Sequence, residues 1–521
     1  MILYRDDNWL VVNKPVGLAT HAGTPGELGV VEWIELHLGI KTYVVSRLDR
    51  GTSGVLLLAL SPEASGLAQK IHEQGTATKT YEFLSSTVST EERWSCDDDL
   101  DGKISQTEFV RLGPAGSLKT NRGELALTRY EARIKRGRKH QIRRHAQNSG
   151  IPLLGDDQYG TPWNGRLCLH CRSLQWPGIK QPVESPQPFT FESLAGGDNS
   201  AAGLGLSLCR DRRLLWLNSI TDVFRAIHRD EISGLPASVE IYGDYFDAVW
   251  FDETADPAKA AQRLDPLLDE ICRVYGCLGG IVRTHRRNPH QRNLVTETRV
   301  FRETPPDFFT VQEHGLKFQI SLTQTQHTGL FLDQRDTRRR IFLAGGNKRL
   351  ANLFAYTCSF SVATIAAGAE VAFSIDLSKP GLNTGKTNLE LNGLSASGQG
   401  KFIQEDVRKW LERQLRRKVE KPENWQPLDL IVCDPPVFAS SKKGGKFSVE
   451  KEWARLAEAS FQLLAEGGQA LFANNHRTGD HAFYRSELTS RFSKVTDLRP
   501  PFDFPVFEGR PHHVRIFWCE K

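Results

Sequence analysis

Two groups of residues in this chain have the types and spacing to do chemistry. The first centres on Asp49, in the run Ser46-Arg47-Leu48-Asp49-Arg50-Gly51-Thr52-Ser53-Gly54. A carboxylate between two arginines is ordinarily a surface ion pair. The glycines and small polar residues that follow suit instead a loop that brings backbone close to a ligand. Downstream, Lys79-Thr80-Tyr81 sets an aromatic face beside a cation, and Gly137-Arg138-Lys139-His140-Gln141-Ile142-Arg143 adds cations able to neutralise phosphate. The second group is a series of acids, each following a strand-like run. Asp376 follows Val371 to Ile375, Asp406 follows Lys401 to Gln404, and Asp434 follows Asp429 to Cys433 and opens into Pro435-Pro436-Val437-Phe438. An acid at the end of the second strand of a doubly wound sheet is placed to hold ribose hydroxyls. The loop before that strand, Phe354 to Ser361, lacks the Gly-x-Gly-x-x-Gly that a pyrophosphate requires, which argues against NAD.

With Asn13-Lys14-Pro15 and Gly155-Asp156-Asp157-Gln158-Tyr159-Gly160, the first group resembles in order and rough spacing the motifs of the RluA-like pseudouridine synthases, over most of residues 1–190. The resemblance implies that Asp49 is the carboxylate handling the detached uracil, that Tyr81 stacks on a flipped-out base, and that Arg143 pairs with Asp49. It puts Arg47 in the catalytic group and Arg50, Lys79, Arg138 and His140 against the RNA. The chemistry agrees. Breaking a glycosidic bond, turning the base and forming a carbon–carbon bond calls for an ionised carboxylate and a shaped pocket, with neither metal nor redox cofactor. One departure is Ser46, where that family usually has histidine.

The second group lies among Gln326-His327-Thr328-Gly329-Leu330-Phe331-Leu332-Asp333-Gln334-Arg335, the Phe354–Ser361 loop, Asp376-Leu377-Ser378, Asn392-Gly393-Leu394 and Asp434-Pro435-Pro436. Together these resemble large-subunit ribosomal RNA methyltransferases over about residues 300–521. The resemblance implies S-adenosyl-L-methionine as cofactor, held by Gln326, Arg335, Phe354, Tyr356, Thr357, Asp376, Asp406 and Asp434. It places a target base against Pro435, Pro436, Phe438, Asn474 and Asn475, with Asp434 also catalytic. The cytosine branch of the family carries a nucleophilic cysteine just after the fifth strand. Here that strand, Gln469 to Ala473, leads into Asn474-Asn475-His476-Arg477, which resembles the guanine nitrogen-7 branch. A second departure is Cys358, where the resembled loop has glycine. If that position needs positive φ, cofactor affinity suffers. This is the feature behind a rival reading, an active synthase fused to a retired methyltransferase fold that only grips RNA.

Two further patterns suggest metals. Asp97 to Glu108 fits an EF-hand calcium loop at every ligand position, which would suit a calcium-regulated interaction protein. Against it, Ser85 to Cys96 has no amphipathic helical period, Gly113 and Pro114 end any helix after Glu108, and there is no second hand. Cys168-Leu169-His170-Cys171 has a zinc-like spacing but no second cysteine pair. Its alternation from Leu167 to Leu174 suits buried thiols on a strand. No metal is expected at either place.

These residues need scaffolds to position them. The expected architecture is an α+β pseudouridine synthase domain (1–193), a Gly/Ala/Ser-rich linker (194–205), a small α/β domain (206–300) and an α/β Rossmann-like class I methyltransferase domain (301–521). Gly234-Leu235-Pro236 and Tyr242-Gly243-Asp244 in the small domain look like the segment preceding the catalytic fold in the methyltransferase family. The chain's 521 residues suit several cores, and 39% hydrophobic with 25% charged residues is a globular composition. Nine scattered cysteines, and acids at Asp6 and Asp7 where a signal peptide would be apolar, point to a cytoplasmic protein. The net charge of +5 is small, but the cations come in runs, at 135–144, 283–292 and 335–340. RNA, above all ribosomal RNA, is the expected partner, with no membrane involved.

Overall fold

The computed structural model describes the chain apart from residues 121–122, 197–200, 218–219, 230, 253–256, 288–293, 325–326, 347, 396–397, 442–444, 477–478 and 506–513. The amino-terminal part is built on a ten-stranded mixed sheet. Its strands run in the order Ile2–Arg5, Trp9–Lys14, Ser53–Ala59, Leu169–Gln175, Thr78–Ser85, Gly123–Ile134, Thr107–Thr120 and Arg93–Cys96, with two short strands alongside. Every residue of Trp9–Lys14 and of Ser53–Ala59 is buried, as suits the apolar stretches Trp9 to Val12 and Val55 to Ala59 within them. Helix Pro62–Gln74 covers the second of them. Ser61 caps its start by accepting from the Ala64 amide, Pro62 occupies the first turn, and Gly75 ends it at φ 66°.

Residues 194–205, expected as a linker, are largely helical. Helix Phe189–Gly196 is followed after the undescribed 197–200 by helix Ala201–Leu217. Its lack of apolar periodicity is offset by buried charge. Asp211 pairs with Arg166 at 2.9 Å and accepts from the Phe189 and Thr190 amides at 2.8 and 3.2 Å, and Arg213 pairs with Glu231. Helix Ala201–Leu217 is thereby bonded both to the amino-terminal part, through Arg166, and to the middle part, through Glu231.

The middle sheet has the order Val223–Ile227, Ala237–Tyr242, Tyr245–Trp250, Gly279–Arg287 and Leu294–Arg302. Its last strand crosses the boundary expected at 300, because its register against Gly279–Arg287 runs through to Phe301. Helix Pro257–Tyr275 makes the crossover between the two parallel strands Tyr245–Trp250 and Gly279–Arg287 and buries Leu264, Leu267, Leu268 and Ile271. The carboxy-terminal sheet has seven strands: Gly400–Gln404, Val371–Asp376, Arg349–Leu353, Leu428–Cys433, Leu464–Asn474, Arg515–Glu520 and Lys494–Leu498. The first five are mutually parallel and the last two pairings antiparallel. The order reverses at Arg349–Leu353, and a doubly wound sheet forms its ligand crevice beyond the carboxyl ends of the strands at such a switch point.

The two ends of the chain touch. His37, on helix Val30–Leu38, pairs with Asp336 at 3.2 Å and stacks on His314. Arg339 donates to the Leu36 carbonyl and the Arg499 amide to that of Gly26. Among the described residues no helix is long and apolar enough to cross a membrane.

Candidate active sites

The loop carrying Asp49 is held from beneath. Thr20 Oγ1 accepts from the Leu48 amide and donates to its carbonyl, both at 3.1 Å. The Gly17 amide and Lys14 Nζ donate to the Arg50 carbonyl at 2.8 and 3.4 Å. Lys14 is fully buried, its ammonium also placed on the carbonyls of Pro15 and Leu18. Burial drives its pKa well down, a neighbouring Arg166 adds to this, and the charge of Asp49 opposes it. Gly54 lies at φ 108°, and a Cβ there would strike the Cys171 carbonyl, so only glycine lets the two strands meet.

Asp49 opens onto a cleft of about 980 Å³ that is also lined by Arg47, Arg50, Lys79, Tyr81, Arg138, His140 and Arg143. All eight residues expected at the first site therefore share one cavity. Arg143 Nη1 lies 3.5 Å and His140 Nε2 3.8 Å from Asp49 Oδ2. Tyr81 is buried, and burial, then Cys171 and the charge of Asp49, hold its phenol well above the ordinary value. It is a neutral aromatic surface at physiological pH. Burial lowers the pKa of Lys79 too.

Arg143 corrects the expectation in part. Its main partner is Asp156, whose side chain is 0% exposed and which it grips in a fork with both contacts at 2.7 Å. Burial raises the Asp156 carboxyl, but the Arg143 fork and the Tyr159 and Gln158 amides outweigh it, leaving it below the usual range. The guanidinium also lies over the Tyr159 ring at 5.1 Å, and His140 contacts the Tyr159 hydroxyl at 3.2 Å. Asp156 and Tyr159 thus hold Arg143 and His140, the two side chains that face Asp49, and burial lowers the pKa of His140 so that Arg143 supplies the positive charge. Their segment was a recognisable motif, yet nothing in it distinguished Asp156 from Asp157 as the anchor.

Neither metal pattern has the surroundings it would need. The Asp97–Glu108 loop joins strands Arg93–Cys96 and Thr107–Thr120, where an EF-hand has helices. Asp98 accepts from Asn148 at 2.7 Å, Asp101 pairs with Arg144 at 3.1 Å, and Glu108 lies within a strand. Cys168 and Cys171 are buried, and burial pushes their thiols up to about 12 and about 11. His170 is tied to Ser53 at 2.8 Å.

The second cleft, about 610 Å³, lies at the carboxyl ends of the parallel strands. Phe354, Tyr356, Asp376, Asp406, Asp434, Pro435, Pro436, Phe438 and Asn475 line it, as expected from the sequence. Asp376 anchors the loop above the first strand, accepting from the Tyr356 and Ser378 amides at 2.8 and 2.7 Å, while burial raises its pKa. Asp406 caps helix Val407–Glu420 and is forked by Arg408 at 3.0 and 2.8 Å. Asp434 is pushed up to about 7, first by burial and then by the charge of Asp333, with Arg338 opposing. Phe438, 70% exposed, overhangs the mouth.

The loop from Phe354 to Cys358 carries left-handed backbone at three non-glycine residues: Phe354 (φ 60°), Tyr356 (46°) and Cys358 (62°). Position 358 does need positive φ, and Cys358 adopts it at a cost of roughly 1–2 kcal/mol. Its buried thiol fills the space left by Gly385, where a Cβ would lie 2.5 Å from the sulfur. It does not line the cleft.

Three of the expected contact residues lie elsewhere. Arg335 is buried and forks Asp503 at 2.7 and 3.0 Å, because a guanidinium out of water requires a charged partner. Thr357 sits behind the loop, its hydroxyl on the Gly329 carbonyl at 2.6 Å and its own carbonyl taken by Asn388. Asn474 is buried at its strand end, where its Oδ1 accepts from the His476 amide. Gln326 lies outside the described residues. Asp333, Phe331, Leu377, Val407 and Arg408 line the cleft and were not singled out from sequence. Asp333 stands inside the motif ending at Arg335, and nothing local marks it above that charged neighbour.

Comparison with known proteins finds two families along the chain. Residues 8–148 match the RNA pseudouridylate synthase model and residues 281–508 the S-adenosylmethionine-dependent methyltransferase model. The ribosomal RNA large subunit methyltransferase K of Neisseria meningitidis is 31% identical over 283 residues, covering 53% of this chain and 75% of that protein. The methyltransferase K/L of Acinetobacter baylyi is 26% identical over 485 residues, 88% of this chain and 63% of that protein. The K/L protein of Psychrobacter arcticus is 29% identical over 306 residues, 58% of this chain, and the match spans only 38% of its length. In fold, a solved methyltransferase structure carrying SAH aligns at TM-score 0.52 and 22% identity, over 71% of this chain and 89% of the other. The chain belongs to the family of ribosomal RNA large subunit methyltransferase K, and it carries an RNA pseudouridylate synthase domain ahead of its S-adenosylmethionine-dependent methyltransferase domain.

Proposed function

We propose that this chain modifies ribosomal RNA of the large subunit twice, isomerising a uridine to pseudouridine in the first cleft and methylating guanine nitrogen-7 in the second. The observation that carries the first half is the single cavity joining Asp49, Arg143, His140 and a neutral buried Tyr81. A flipped uridine stacks on Tyr81, which offsets part of the few kcal/mol that unstacking costs. Asp49 acts on the sugar and base as the glycosidic bond breaks and retains the uracil while it turns. Arg143 and His140, held by Asp156 and Tyr159, fix the carboxylate's position. Arg47, Arg50, Lys79 and Arg138 take the phosphates and base edge around it.

In the second cleft the lining suits adenosylmethionine. Its volume lies within the roughly 300–1,000 Å³ typical of cofactor sites. Asp376 has a lone pair left after its backbone bonds and takes the ribose hydroxyls, with Leu377, Asp406 and Val407 around the adenine. The cofactor, when bound, supplies an electrophilic methyl group. Pro435, Pro436, Phe438 and Asn475 hold the base, and Phe331 and Phe438 narrow the mouth against water. Nitrogen-7 of guanine has a lone pair and no proton to lose, so positioning and desolvation suffice. Positive charge arriving on the ring is favoured by Asp434. Among the described residues that line the cleft there is no cysteine, and burial holds the thiols of Cys433 and Cys519 far up. That favours guanine nitrogen over cytosine carbon-5.

The test is incubation of the purified chain with unmodified large-subunit RNA and methyl-labelled adenosylmethionine, followed by nucleoside mass spectrometry. Pseudouridine together with 7-methylguanosine is expected. Label on 5-methylcytosine, or trapping of a protein–RNA adduct through cysteine, would contradict the guanine assignment.

A further inference from the structure

Asp333 opens onto the methyltransferase cleft together with Asp434 but from a different element, the short 3-10 turn Leu332–Gln334. That turn is clamped from behind by buried ion pairs. Arg335 forks Asp503, and Arg338 forks Glu313 with both contacts at 2.8 Å while donating to the Phe331 carbonyl at 2.7 Å. The clamp holds Asp333 at the cleft wall without help from any ligand. Its carboxylate takes no hydrogen bond from another described residue. Burial raises its pKa, and its charge is felt at Asp434. Its own backbone amide and the charges of Arg225 and Arg338 offset that burial only in part, so an arriving donor is favoured.

In the reading above, the adenosine half of the cofactor has its own acids in Asp376 and Asp406, which leaves Asp333 for the base. Among the four RNA bases guanine alone presents two adjacent donors, N1–H and the 2-amino group, on its Watson–Crick edge. Adenine and cytosine pair a donor with an acceptor, and uracil flanks one donor with two acceptors. A carboxylate accepts two parallel N–H bonds without adjustment. We propose that Asp333 selects the target base, its carboxylate accepting N1–H and the 2-amino group of guanine while nitrogen-7 faces the methyl donor. This rests on the guanine nitrogen-7 reading. The positions of Arg335, Arg338, Glu313 and Asp503 then make sense as the frame that aims it.

The experiment uses the full chain and a synthetic hairpin centred on the nucleotide it labels in large-subunit RNA. That one position carries guanosine, inosine, which lacks only the 2-amino group, or 7-deazaguanosine. The wild type should prefer guanosine over inosine by about 100-fold or more in kcat/KM, because a site built around a donor rejects the analogue without it. Asp333→Asn should shrink that ratio to below about tenfold, by losing rate on guanosine, while adenosylmethionine affinity by calorimetry stays within about threefold. If the variant is too slow to rank, its equilibrium affinities for the two hairpins are compared by the same criterion. Equal rates on guanosine and inosine in the wild type, an unchanged ratio in Asp333→Asn, or lost cofactor binding in that variant would each overturn the proposal. Methylation of the 7-deazaguanosine hairpin would instead sink the nitrogen-7 reading, and the guanosine-to-inosine ratio would still judge Asp333.

Discussion

Replacing Arg143 with methionine keeps most of the side chain's apolar stem and removes its charge. The geometry makes this a test of which carboxylate Arg143 serves. Asp156 is fully buried with two 2.7 Å contacts to the guanidinium, whereas the Asp49 contact is single, 3.5 Å long and partly exposed. Breaking one side of a buried pair costs about 3–5 kcal/mol. Asp156 keeps the amides of Gln158 and Tyr159 at 3.1 Å, so the lower part of that range applies. For a unit of this size each kcal/mol moves the midpoint by roughly 2–4 °C, so Arg143→Met should melt about 6–12 °C lower at pH 7. The sign comes from linkage. Asp156 has a depressed pKa in the fold, so its stabilisation is present above the ordinary carboxylate value and is lost as pH falls through the folded one. The deficit of the variant should therefore shrink in acid. Adding Asp156→Asn to Arg143→Met should recover part of the loss, because no orphan charge remains. The assay is differential scanning calorimetry of the four proteins of this cycle at pH 7 and pH 4, with Asp49→Asn as control. An unchanged midpoint in Arg143→Met, or a loss in Asp49→Asn as large as in Asp156→Asn, would show that Asp156 is not the carboxylate that Arg143 chiefly serves.

Asp434 titrates near 7 because the fold disfavours its charge, so Asp434→Asn should raise the melting midpoint at pH 8, lose that gain at pH 5, and cut methyl transfer severely. In the wild type, methyl transfer should climb with pH through about 7. A lower midpoint for Asp434→Asn at pH 8 would mean that the carboxylate is paired. Asp376→Ala should weaken adenosylmethionine binding by roughly ten- to a hundredfold in calorimetry, since a charged acceptor is worth about 1.5–3 kcal/mol; unaltered affinity would place the ribose elsewhere. Cys358→Gly should leave cofactor affinity within about threefold, because the cysteine already adopts the left-handed turn, at a cost of roughly 1–2 kcal/mol. A tenfold gain would show that the cysteine impairs the site.

Both clefts were legible in the sequence wherever a residue's job depends on its place at a strand end or in a tight loop. Asp376, Asp406 and Asp434 each end a run of apolar periodicity, and that alone carries them to one side of the sheet. Asp49 was marked by its glycines. What was not legible is how buried charges choose partners across long separations. Arg335 meets Asp503, 168 positions away, and no local pattern shows that its side chain points into the core. Asp156 was hidden for the same reason, since its neighbour Asp157 is chemically identical. The helix Ala201–Leu217 was missed because two glycines and weak periodicity mask it, and the ion pairs that secure it involve Arg166 and Glu231 from other segments.

Two separable modifications by one chain, with Asp49 responsible for the first, are told apart by their products. The most direct measurement is nucleoside mass spectrometry of large-subunit RNA treated with purified wild type, Asp49→Asn and Asp434→Ala. Asp49→Asn is expected to make no pseudouridine yet still to methylate, and Asp434→Ala to do the reverse. Pseudouridine formed at the wild-type level by Asp49→Asn would contradict it.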